Sequence, residues 1–253
     1  MIRLSPSSLS DFKKCPLLFW LDKHHDLKMP RGAFPSLPGG MDRVLKGYYD
    51  RHREAGVVPQ ELLGKIPATL GLFKDQAQLK KWRFWKSGLA VDLGAGRVVS
   101  GALDDLLYDP AADLYAVIDY KTRGAIWKPG ATEEYYGTQA DTYDLMLTAN
   151  GRKTTGKAYF AYYWPKDTIG ATAAATADVP ARVDFSFDAD VVQIATDTAR
   201  AGELAIKAFE CLEGPMPELR DGDEVSDWLV AVLERLGYTR TAGQVAEAVQ
   251  VAA

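Results

Sequence analysis

The sequence is short of the residues that hold small or metal-rich folds together. Among 253 residues, only Cys15 and Cys211 are cysteine and three are histidine. Two cysteines give no disulfide framework, and reduced thiols in a cytoplasmic protein are the expectation. They also exclude a four-cysteine iron–sulfur cluster built within one chain. No apolar run approaches the ~20 residues of a membrane-spanning helix, and the first residues lack the apolar core of a signal peptide, so no membrane partner is expected. Positive charge is not in excess either: 30 Lys and Arg stand against 34 Asp and Glu, a net charge of −4. A protein that coats nucleic acid through overall charge is thereby disfavoured, whereas a local basic groove is not. Internal repeats and long linkers are absent.

What the chain does contain is a strand hairpin that carries unexpected charge. Gly101-Ala-Leu-Asp104-Asp105-Leu-Leu-Tyr-Asp-Pro leads into Tyr115-Ala-Val-Ile-Asp119-Tyr-Lys121-Thr-Arg123. Asp109-Pro110 supplies turn chemistry between two runs of aliphatic, β-branched and aromatic residues. Asp104 is read in the first strand. Asp119 and Lys121 are two apart in the second and so share a face, while Asp105 points away from the face of Asp104. Ionised groups in apolar strands are costly unless partnered. Carboxylates with a backbone carbonyl suit a hard divalent cation, Mg²⁺ or Mn²⁺, and a lysine beside it can orient water or stabilise developing charge.

These residues resemble the PD-(D/E)XK nuclease superfamily, in its RecB-like branch with CRISPR-associated relatives. Three pieces occur in the family's order: Gly101-Ala-Leu-Asp104, Asp119-Tyr-Lys121 and, on a following helix, Gln139-Ala-Asp-Thr-Tyr143. The resemblance implies phosphodiester hydrolysis. Asp104, Asp119 and the carbonyl of Tyr120 would bind one or two divalent metals, Lys121 would position water or stabilise the transition state, and Gln139 and Tyr143 would approach the site or the DNA. The Ser-x-x-x-Phe-x-x-Cys-Pro pattern from Ser8 to Pro16 looks like the family's entry helix. Cys15 there corresponds to an iron–sulfur ligand in some relatives, but the partner cysteines near the C-terminus are missing. Where many relatives carry a metal-binding histidine, this chain has Asp42. It is read either as a metal ligand or as the N-terminal cap of a helix.

Along the rest of the chain, Ser7 or Ser8 is expected to cap a first helix with Leu9 and Phe12 on its apolar face. His24 and His25 are read as solvated loop residues. A helix is expected from Met41 to about Arg53, with Met41, Val44, Leu45 and Tyr48 on one face. Arg43, Lys46 and Arg51-His-Arg53 would form its basic side, for phosphate or for solvent. The segment from about 41 to 90 is read as a largely helical insertion. Within it, Lys80, Lys81, Arg83 and Lys86 alternate with Trp82, Phe84 and Trp85; the lysines are candidates for DNA contact and the tryptophans for core anchoring. Arg123 is a further DNA candidate. Thr132 is expected to cap the helix of Gln139 and Tyr143, ending at Asn150-Gly151. Gly151 to Lys157 approximates a phosphate-binding loop but lies between helix and strand in the wrong order for one. Strands are expected at Lys157 to Trp164 and Arg182 to Phe187, with a small-residue loop at Ala171 to Ala177. A long helix is expected from Asp190 to Leu212 and short helices at Asp227 to Leu236 and Gln244 to Val251.

The expected fold is α/β: a central mixed sheet of four or five strands flanked by helices, a restriction-endonuclease-like core with the helical insertion and C-terminal helices. Residues 1–220 would form the nuclease domain and 221–253 a helical extension. The expected activity is that of a Mg²⁺- or Mn²⁺-dependent deoxyribonuclease, an exonuclease of DNA repair, recombination or phage or CRISPR DNA processing. Its partner is DNA, as single strands or duplex ends, and, since no helicase signature is present, a helicase or recombination protein. The alternatives are a nuclease fold that binds DNA without cutting it and a metal-dependent phosphatase-like hydrolase.

Overall fold

The computed structural model describes residues 2–27, 36–84, 86, 88–173, 182–220 and 223. In chain order the elements are β1 (Ile2–Leu4), α1 (Pro6–Lys14), α2 (Pro16–His25), α3 (Ser36–Ala55), a 3₁₀ turn at Gln60–Leu62, β2 (Gly71–Leu72), α4 (Gln76–Trp82), β3 (Leu89–Asp92), β4 (Arg97–Gly101), β5 (Asp105–Asp109), β6 (Leu114–Thr122), α5 (Ala131–Ala149), β7 (Thr154–Ala173), β8 (Arg182–Ala195) and α6 (Thr198–Glu213). The main sheet has the order β2-β5-β6-β7-β8, and a smaller sheet has the order β1-β4-β3. β5 and β6 form an antiparallel hairpin, while β6 and β7 run parallel because α5 crosses over between them. The result is the expected mixed sheet flanked by helices.

β6 shows how the sequence sorts the two faces. Tyr115 and Val117 pack into the cluster beneath α5 and α6, whereas Ala116, Ile118 and Tyr120 pack into the cluster beneath α3. The period of two then carries Asp119 and Lys121 onto the α5 face. β7 is sorted the same way, with Phe160 and Tyr162 on the α5 side and Tyr159, Ala161 and Tyr163 on the α3 side. A strand apolar on both faces is one covered by helices on both.

Several elements differ from the sequence expectation, each for a local reason. The cap of α1 is Ser5, whose hydroxyl accepts from the Ser8 amide, because Pro6 suits the first helical position. His24 and His25 close α2 instead of lying in a loop; His24 stacks on Trp20 and bonds the Leu212 carbonyl at 2.9 Å. α3 begins at Ser36, since Pro38 falls in its first turn. It buries Leu45, Tyr49 and Arg53 and leaves Val44 57% exposed, so its inward stripe is one position later than the apolar residues alone indicated. Asp42 is thus inside the helix and not its cap. α5 is preceded by Gly130; Thr132 lies within it, buried, with its hydroxyl 3.0 Å from that of Tyr162. The first part of the expected 190–212 helix is strand: Val191, Val192 and Ile194 are β-branched and pair with β7, and the helix starts only after Asp197 caps it. The insertion contains a 3₁₀ turn and the short β2 beside its helices. The expected helices at 227–236 and 244–251, Trp85, and most of the 171–177 loop lie outside the described residues. Among those described, no helix is long and apolar enough to cross a membrane.

Candidate active site

Asp119 is at the C-terminal half of β6, opposite Phe160 of β7, and is 2% exposed. Lys121 follows on the same face, its Nζ 2.5 Å from Asp119 Oδ2 and 4.4 Å from the centroid of the Tyr136 ring. Gln139, one helix of sequence away on α5, ties the pair together. Its amide nitrogen donates to Asp119 Oδ1 at 3.0 Å, and its oxygen accepts from Lys121 Nζ at 3.3 Å. Tyr143, one turn further, lies 3.3 Å from the same amide and donates its own hydroxyl to the Ala102 carbonyl at 2.7 Å. The crossover helix therefore fixes the acid, the lysine and the segment before Asp104 together. Gly101 permits this approach, because a Cβ there would meet Pro6, Met146 and Tyr143 at 3.1 to 3.2 Å.

Asp104 occupies the bend just before β5 and not the strand itself. Its Oδ2 lies 3.4 Å from the Tyr120 amide, which places it across the hairpin from Asp119. Its backbone carbonyl accepts from Arg83 Nε at 2.6 Å, so the bend is held by α4's end and leaves the ladder to Asp105. On the far side, Lys46 of α3 reaches in: its Nζ is 2.8 Å from Asp42 and 2.9 Å from Asp104 Oδ1. Lys46, expected on an outward basic side, instead faces the carboxylates, and Asp42 joins the site through it.

Burial is the largest influence on Asp119 and pushes its carboxyl up, to about 7; Lys121 opposes the shift and Asp104 adds to it. For Lys121, burial works to lower the ammonium's pKa, but Asp119 and Asp104 outweigh it and the net shift is upward. Lys46 behaves alike, with burial opposed and exceeded by Asp104 and Asp42. Burial raises the Tyr143 phenol, which stays protonated as a donor.

Asp119 Oδ2 is buried and, despite the nearby ammonium, has no donor in hydrogen-bonding geometry. That oxygen is held by the Lys121 ammonium through charge alone, and a buried carboxylate beside a second carboxylate suits a hard cation. Among the described residues, no three His, Cys, Asp or Glu side chains converge as a ready metal cage. The donor set that fits is therefore the Asp104–Asp119 pair supplemented by backbone oxygen or water, as Mg²⁺ usually takes.

Asp105 turns to the other face and is wholly buried. Arg53, Arg83 and the Tyr120 hydroxyl all donate to it, and Asp50 completes a network of two guanidiniums and two carboxylates. Arg53 and Arg83 are thus structural and take no part in a basic surface. Nothing in the spacing of these residues announced the pairing, because Asp50, Arg53, Arg83 and Asp105 come from three separate elements. Arg43, Lys80, Lys81 and Arg123 are exposed, while Trp82 of α4 is buried against Phe73. Cys15 and Cys211 are free thiols; burial raises both, and Cys15 Sγ accepts from the Leu18 amide at the start of α2.

No curated protein matches the chain. A family model described as the PD-(D/E)XK nuclease superfamily matches residues 41–227, a span that holds Asp42, Asp104, Asp119, Lys121, Gln139 and Tyr143 together. The chain belongs to the PD-(D/E)XK nuclease superfamily.

Proposed function

We propose that the protein is a Mg²⁺- or Mn²⁺-dependent deoxyribonuclease that hydrolyses phosphodiester bonds at the Asp104–Asp119–Lys121 site. The observation that carries this reading is the buried Asp119–Lys121 pair, clamped by Gln139 and facing Asp104. The metal would be held by Asp104 and Asp119 with the Tyr120 carbonyl, and Asp42 would contribute through or in place of Lys46. Bound there, it would polarise the scissile phosphoryl group and lower the pKa of a water. Lys121 supplies a fixed positive charge where the pentavalent phosphorus develops negative charge, and its ammonium orients the attacking water. Gln139 gives Lys121 a second acceptor beside Asp119, and Tyr143 anchors Gln139 to the Ala102 carbonyl. The exposed Arg43, Arg123, Lys80 and Lys81 would supply phosphate contacts without changing the acidic balance of the whole chain. We place the activity at DNA ends, as an exonuclease in repair, recombination or phage or CRISPR DNA processing, with strand separation left to a helicase or recombination partner.

The test is cleavage of end-labelled single- and double-stranded DNA with Mg²⁺ or Mn²⁺, comparing the wild type with Lys121→Ala and Asp119→Ala. Metal-dependent cutting lost in both folded variants supports the enzyme. A non-cutting DNA-binding module is favoured by one feature: Lys46 pairs with both Asp42 and Asp104. Absence of cutting with every metal, together with DNA binding that survives both substitutions, would leave that second reading.

A further inference from the structure

A cavity of about 760 Å³ opens from the catalytic side of α5 toward the N-terminal corner of the chain. Lys121, Gln139 and Tyr143 form its inner end. From there it runs past the Ser100–Ala102 edge to β1 and α1, where Arg3, the serines of the α1 start and Lys14 at the helix's other end line it. Its charged lining is Arg3, Lys14 and Lys121 against one carboxylate, Asp11, so the wall is locally positive in a chain that is negative overall. Tyr135 also lines it and is 59% exposed, a large aromatic face that the fold leaves uncovered.

Cations, hydroxyls and an open aromatic face in one trough are the components of single-strand recognition. The cations and hydroxyls meet phosphates, and the ring meets a base face. A base within a duplex has both faces stacked on its neighbours and cannot present one to a side chain. We propose that this trough holds an unpaired nucleic-acid strand next to the scissile phosphate, with one base stacked on Tyr135 and a phosphate on Arg3. The proposal deepens the nuclease reading of the same site: it makes a single-stranded segment, not an intact duplex, the form in which substrate enters.

The test is fluorescence-anisotropy titration of labelled oligothymidine and of a blunt hairpin duplex in EDTA, where nothing is cut and binding is read independently of hydrolysis. Tyr135→Ala is expected to weaken oligothymidine binding about 5- to 100-fold, the range of one lost base stack. Tyr135→Phe keeps the ring and should bind as the wild type does. Arg3→Ala is expected to reduce the slope of log affinity against log salt by about 0.7, one phosphate contact on a single strand. Both residues are exposed, so folding is not at stake. Wild-type oligothymidine affinity in Tyr135→Ala, or an equal loss on the hairpin, would overturn the proposal even if metal-dependent cutting were found. Conversely, Tyr135-dependent strand binding without any cutting would retain the trough and remove the enzyme.

Discussion

Replacing Asp105 by Asn is the most severe single-atom change the structure offers away from the reacting groups. The side chain is 0% exposed. Its Oδ1 accepts from Arg53 at 2.5 Å and from the Leu106 amide at 2.7 Å; its Oδ2 accepts from Arg53 at 2.6 Å, from Arg83 at 2.9 Å and from the Tyr120 hydroxyl. The Arg53 side chain is itself only 1% exposed. Two guanidiniums are balanced by Asp50 and Asp105, so the substitution leaves one buried positive charge uncompensated. It also points an amide donor at groups that are all donors. Breaking a buried pair from one side costs about 3–5 kcal/mol, a large part of the 5–15 kcal/mol typical of a whole domain. At about 2–4 °C per kcal/mol for a chain of this size, the melting temperature should fall by roughly 6–20 °C. Urea unfolding followed by tryptophan fluorescence measures the loss. Asp50→Asn is the internal comparison: the Asp50 side chain is 36% exposed, water can replace part of what it gives, and its cost should be about 1 kcal/mol. A loss below about 1 kcal/mol for Asp105→Asn, or equal losses for the two variants, would show that the network does not carry the α3–α4–hairpin junction.

Three further outcomes follow from the site and its surroundings. Because burial holds the native Asp119 carboxyl up at about 7 against an ordinary value of 3.8, the native state binds this proton more tightly than the unfolded chain. Stability contributed by this group should therefore fall as pH rises from about 4 to 7, in EDTA, and Asp119→Asn should flatten the profile; urea midpoints across that window check it. Mg²⁺ at a hundred times its dissociation constant should raise wild-type stability by about 2.7 kcal/mol, a gain absent in Asp119→Ala and read from thermal melts with and without the ion. In Gly88→Ala the new Cβ would lie 2.2 Å from the Gly101 carbonyl oxygen, a backbone contact that cannot yield cheaply. A loss of about 1–3 kcal/mol in denaturant unfolding is expected, together with displacement of the Gly101–Ala102 segment to which Tyr143 is bonded.

The parts of this molecule that a sequence reveals are those governed by a single repeating geometry. Alternation along β6 is enough to put Asp119 and Lys121 on one face, and one helical turn is enough to stack Gln139 on Tyr143. The inward stripe of α3 is not legible in the sequence, because Tyr49 and Arg53 continue it from Leu45, and an arginine does not look like a core residue until its carboxylate is found on another element. The end of β8 is not legible, because Asp190 to Leu212 has helical spacing; only the long β7, available as a pairing partner, makes strand the better use of Val191, Val192 and Ile194. Lys46 was legible as a charge on α3 but not as a neighbour of Asp104, since that contact depends on how α3 lies across the hairpin.

That contact changes what the site asks of a metal. Asp42, Asp104 and Asp119 bring three formal negative charges, and Lys46 and Lys121 bring two positive ones, each ammonium lying directly on a carboxylate. If the proposed metal were held by Asp104 and Asp119, it would meet a pair already largely neutralised, and at least one ammonium would have to stand aside for both oxygens to serve it. Lys121 has somewhere to go: Gln139 accepts from it and the Tyr136 ring lies beneath it, so it can leave Asp119 without becoming unpartnered in a buried setting. Lys46 can fall back on Asp42, one helical turn away and more exposed. The two lysines thus have different places to retreat to, one inward under α5 and one outward along α3. On the proposed reading, the inward retreat keeps Lys121 on the β6 face it shares with Asp119, which supports giving the reacting role to Lys121 and not to Lys46.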